Sequence, residues 1–126
     1  MQYSLPTGKK VFFGEKEFNF SFPTTIAGMM RGLSGISDLQ GYDGMLFDFA
    51  IPTRAIMAPR SLRFPIEIAF ISEAWVVEEI LFMDPLFGHN VESTGKVRYA
   101  LEAEVGFFST HGINVGSELI FNGDLE

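Results

Sequence analysis

Two short apolar runs, with prolines in and between them, constrain this chain more than any other feature. Gly44-Met45-Leu46-Phe47-Asp48-Phe49 and Phe64-Pro65-Ile66-Glu67-Ile68-Ala69-Phe70-Ile71 read as core strands, joined by an irregular middle from Ala50 to Arg63. Pro52, Pro59 and Pro65 punctuate that region. Proline offers no N–H to a sheet ladder, so one long central strand is not expected there. Inside the second strand Glu67 is the one charged residue. Burying an unpaired carboxylate costs roughly several kcal/mol, so Glu67 must face water, meet a cation or take up a proton.

The flanks supply the rest of a sheet. Lys10 to Phe13 and Glu17-Phe18-Asn19-Phe20-Ser21-Phe22 surround Gly14-Glu15, and the second segment alternates Phe with polar residues. A half-buried hairpin follows. Thr24 or Thr25 caps a short helix ending near Leu33, with Ile26, Met29, Met30 and Leu33 on one face, and Ser34 to Asp43 reads as a loop. Beyond Ile71 a turn at Ser72-Glu73-Ala74 leads to a strand from Trp75 to Phe82, and Met83 to Thr94 reads as an extended loop. Lys96 to Glu102 alternates as a strand, Ala103 to His111 has helical spacing ending at Gly112, and Ser117 to Phe121 is a last strand. The pattern predicts an α+β fold: a compact, mostly antiparallel, barrel-like sheet with two short helices in a single domain over 1–126.

Charge narrows the partners. Nine Lys and Arg against sixteen Asp and Glu leave a net charge of -7, which repels phosphate backbones and anionic bilayers. Neither nucleic acid nor membrane is an expected partner. Apolar runs are too short to span a bilayer, and Met1 to Pro6 lacks a basic segment followed by an apolar one, so a cytoplasmic protein is expected. No cysteine is present, which removes thiolate and disulfide chemistry.

Several segments in order, Thr25, Arg31-Gly32-Leu33, Gly44-Met45-Leu46-Phe47, Pro65-Ile66-Glu67-Ile68-Ala69-Phe70, Arg98-Tyr99-Ala100-Leu101-Glu102, then Gly112-Ile113 and Gly116, carry a resemblance. The chain resembles the domain-of-unknown-function 192 family over about Thr24 to Phe121, with 1–23 as an N-terminal hairpin extension. The resemblance implies a compact β-rich domain with packed helices, and implies no particular reaction. Met57-Ala58-Pro59-Arg60-Ser61 replaces the family's tryptophan-containing segment, and Glu67 stands at the family's aspartate.

Glu67 with Arg60, Arg63 and Arg31, and also Arg54 or Arg98, forms a candidate carboxylate and guanidinium site for a polar ligand. The alternative is an internal ion pair holding the 50–63 connection. Asp48, between two phenylalanines, is expected to face solvent, and Glu67 with Asp48 or Glu102 is the pair that a hydrolase would need. Leu86, Phe87 and His89 in the long loop are candidates for contact with a partner, or for a lid over the Glu67 pocket. His89 and His111 have no partner at ligand spacing, so neither a metal nor another cofactor is expected. Three functions remain open. The first is a non-catalytic binding module for a polar ligand or protein segment. The second is a self-assembling structural subunit, a homo-oligomer of the virion-associated or surface-associated kind. The third is a carboxylate-dependent hydrolase.

Overall fold

Residues 3–121 are described by a computed structural model of the chain. Seven strands, β1 (Gly8–Phe13), β2 (Lys16–Ser21), β3 (Gly44–Met57), β4 (Ile66–Ile71), β5 (Val77–Met83), β6 (Val91–Glu104) and β7 (Leu119–Phe121), form one sheet in the order β5-β4-β6-β3-β2-β1-β7. Two helices complete the fold: α1 (Ile26–Arg31), which buries none of its residues, and α2 (Phe107–Thr110), which buries Phe108. Every strand pairing is antiparallel except β2 with β3, which touch in parallel at Phe20–Gly44 and Ser21–Met45. A parallel pair needs a crossover, and residues 22–43 with α1 supply it. The sheet curls into a half-barrel, and its ends meet where Val76 bridges Glu118 and Leu119 N–H donates to the Trp75 carbonyl at 2.9 Å. The fold is thus the expected α+β, barrel-like sheet with two short helices.

The β1–β2 hairpin turns at Gly14, whose φ of +63° is glycine's territory. Its alternation holds: Phe18 and Phe20 are buried between exposed Glu17 and Asn19. Period-two alternation also divides the central strands between two cores. Leu46, Ala69, Ile71, Leu101 and Ala103 pack with the hairpin phenylalanines and Phe108, whereas Met45, Phe47, Ile66, Ile68 and Phe70 pack with Leu33, Ile36 and Leu39. Phe20, Phe47 and Phe70 are all fully inside.

Contrary to the expectation from the prolines, β3 runs on through Pro52 to Met57. Between Asp48–Tyr99 and Thr53–Val97, five steps along β3 match two along β6, so residues 49–52 bulge out of the ladder. Pro52 lies in that bulge, where its missing N–H costs no ladder bond, and Ala50 turns the chain with φ +73°. The second half of β3 pairs with Val91–Lys96, so β6 takes in the end of the expected long loop, and 84–90 is all that remains of it. Likewise β6 continues to Glu104 opposite Ile66, leaving α2 only four residues. Cross-strand pairing overrides the local helical spacing.

Candidate functional site

Thr25 caps α1 as anticipated, its Oγ1 accepting from Gly28 N–H at 3.0 Å. The helix buries none of its own residues, and Ile26 and Met30 are each 80% exposed. Those side chains form one lip of a cavity of about 380 Å³ between α1, the 58–62 connection and the sheet face carrying Phe47, Ile66 and Glu102. That size lies within the usual range for small-molecule sites. The second lip is held to the segment that follows α1 by one backbone and one side-chain hydrogen bond. Gly35 N–H donates to the Ser61 carbonyl at 2.8 Å, and Ser34 Oγ donates to the Arg60 carbonyl. Arg31 and Arg60 therefore line the same cavity. Arg31 lies 3.6 Å over the Tyr3 ring, and the Tyr3 hydroxyl donates to the Gly32 carbonyl.

On the floor stands Glu102, 6% exposed. The register places it between Met45 of β3 and Ile68 of β4, both fully buried. Two glycines make room for it. A Cβ on Gly44 would lie 2.3 Å from the Glu102 carbonyl oxygen, and one on Gly32, at φ +52°, would lie 3.4 Å from Phe47 and 3.9 Å from Glu102 Oε1. Burial in this apolar setting pushes the carboxyl up to about 8. Near neutral pH Glu102 is mostly protonated, an O–H donor and C=O acceptor at the bottom of an apolar cleft.

Glu67 does not belong to this site. It faces the opposite side of the sheet with Ala69 and Ile71, and its Oε1 accepts from Gly106 N–H at 2.9 Å, fastening the turn before α2. The expected Glu67–arginine constellation is replaced by that backbone bond, and among the described residues Glu67 makes no ion pair. Glu67 and Glu102 are neighbours across β4 and β6, one residue out of phase, and one residue reverses the face. Arg63 and Arg54 are exposed and outside the cavity. Asp48 is half-buried, not simply solvent-facing: it pairs with Arg98 at 2.8 Å and accepts from Ala50 N–H.

The acids proposed as a hydrolytic pair are therefore dispersed, and Glu102 is the one acid lining the cavity among the described residues. Leu86 and Phe87 are 88% and 69% exposed, and His89 is exposed beside them, so the 84–90 loop projects outward and is no lid. His111 packs its ring against Phe18 and Phe107. No group of three or more metal-ligating side chains occurs among the described residues, and no helix is long and apolar enough to cross a membrane. In the sequence Glu102 stood out only as the last residue of Arg98-Tyr99-Ala100-Leu101-Glu102 and as a possible second acid beside Glu67, not as the centre of a site. Its one signal is an acid among small and apolar residues in a strand whose two faces are both covered.

A β-rich half-barrel with a single acid beneath an apolar cleft is the class of domain these features define. The chain belongs to the domain-of-unknown-function 192 (DUF192) family, described as "Uncharacterized ACR", whose model matches residues 10–121. That match takes in most of the β1–β2 hairpin as well as the later strands. No curated protein matches the chain. Among solved structures it is similar to a candidate transcription regulator from Sinorhizobium meliloti 1021, with 18% identity, a TM-score of 0.80, and coverage of 96% of this chain and 98% of the other. It is also similar to a protein of unknown function from Novosphingobium aromaticivorans DSM 12444, with 22% identity, a TM-score of 0.73, and coverage of 90% and 84%. At these identities the likeness is one of fold.

Proposed function

We propose that the chain is a non-catalytic binding module whose ligand enters the cleft between α1 and the 58–62 connection. The observation that carries this reading is the cleft itself. Ile26 and Met30 stand exposed at its lip, Phe47 and Ile66 line it, and Glu102, the one carboxyl lining it among the described residues, lies at its base. Exposed apolar side chains around a concave site gain from covering, and one buried polar group orients what covers them. Binding without turnover is favoured because, among the described residues, Glu102 has no second acid opposite it. The one hydroxyl among the lining residues, Ser34 Oγ, is committed to the Arg60 carbonyl.

Titration of the labelled protein with octanol, followed by amide chemical shifts, tests the site. Saturable shifts at Gly32, Phe47 and Glu102, abolished in Met29→Trp, are expected. Shifts confined to other surfaces, or none, would reject it. A self-assembling structural subunit is a second reading, supported by the exposure of Leu86 and Phe87 on a loop that covers nothing of the cleft.

A further inference from the structure

The charge of the cleft is opposite to that of the protein. The chain carries a net charge of -7, yet among the described residues the ionisable side chains lining the cleft are Arg31, Arg60 and Glu102. Burial keeps the last of these largely neutral. We propose that the cleft takes a small amphipathic anion, a carboxylate on an apolar tail, whose head pairs with Arg31 and Arg60 and whose tail lies over Phe47, Phe49 and Met57. The proposal rests on the cleft being a ligand site, and adds the ligand's chemical class.

Both guanidiniums are available for such a head. Among the described residues the ion pairs are those of Arg98 with Asp48 and Glu73, and neither Arg31 nor Arg60 has an acidic partner. Arg31 is already seated on the Tyr3 ring, so it loses less side-chain freedom when it engages a ligand. Guanidinium forks match the two oxygens of a carboxylate. A positive concavity also concentrates anions locally despite the negative remainder of the surface. An ammonium head fits poorly, because it meets two like charges at the mouth and needs Glu102 ionised where burial opposes ionisation. At about 380 Å³ the cleft lies in the range of small-molecule sites, which suits a medium-chain acid.

The test is calorimetric titration of the full chain at pH 7 and low salt with octanoate, octanol and octylamine, which share one tail. Octanoate is expected to bind at least about tenfold tighter than the other two, the margin of a charge-assisted hydrogen bond over a neutral one. Added salt should erode that margin. Combining Arg31→Gln with Arg60→Gln should bring octanoate down to octanol, whereas Arg63→Gln, outside the cleft, should leave the preference intact. Equal binding of octanoate and octanol, tightest binding of octylamine, or a carboxylate preference that survives both salt and the double variant would each overturn the anion assignment while leaving the ligand site standing. If none of the three binds, the ligand site falls, and the assignment with it.

Discussion

Replacing Glu102 with glutamine preserves shape and hydrogen-bonding capacity while removing the ionisation that the cleft opposes. The carboxyl titrates near 4.5 in the unfolded chain and near about 8 in the folded one, raised by burial. Below pH 4.5 both states are protonated and the residue costs nothing. Above it the unfolded chain releases its proton while the folded chain holds on, and each pH unit then costs the native state about 1.4 kcal/mol. Stability fully present below pH 4.5 is therefore lost as the pH rises through the folded value, about 3 kcal/mol by pH 7 and about 5 kcal/mol beyond pH 8. Glu102→Gln escapes this loss. Urea unfolding of both proteins at pH 5, 6, 7 and 8 should show the variant more stable by about 3 kcal/mol at pH 7 and by less than about 1 kcal/mol at pH 5. Parallel pH profiles, or a variant weaker than the parent at pH 7, would show that Glu102 is solvated or paired and that the cleft is not the apolar site described.

Glu67→Leu and Arg60→Met should be additive in thermal melts, because the two side chains lie on opposite faces of the sheet; a coupling above about 0.5 kcal/mol would place them in contact. Leu86→Ser combined with Phe87→Ser should leave the melting temperature nearly unaltered, since both side chains are exposed, and should lower the mass seen by light scattering if the loop anchors a second copy. A stability loss of several kcal/mol, roughly that of a core side chain, would instead show the loop packed inward.

Local signals made part of the fold legible in the sequence. The β1–β2 hairpin follows from Phe alternating about Gly14, the start of α1 from Thr25, and the burial of Phe20, Phe47 and Phe70 from strand patterning, since each depends on near neighbours in the chain. Arg31 and Arg60 were singled out in the sequence only as partners for Glu67, whereas the fold sets them along the cleft and leaves Glu67 on the other face of the sheet. The length of β6 was not legible, because residues 91–94 and 103–104 become strand only by pairing with β3 and β4. Nor could Pro52 be seen to sit harmlessly in a bulge whose existence depends on the partner strand's register.

The choice between two glutamates shows where the division falls. That an acid must lie within an apolar strand, and must face water, meet a cation or take up a proton, was determined by residue order alone; a backbone N–H as its partner was not foreseen. Which acid met which fate was decided by tertiary structure. Strand parity sends Glu67 to the face where Gly106 N–H satisfies it, and the register of β3, β6 and β4 sets Glu102 between Met45 and Ile68 beneath the cleft. Sequence spacing carries the period of a strand but not its phase against the neighbours, and in a sheet buried on both faces that phase alone determines which carboxyl is left to hold a proton.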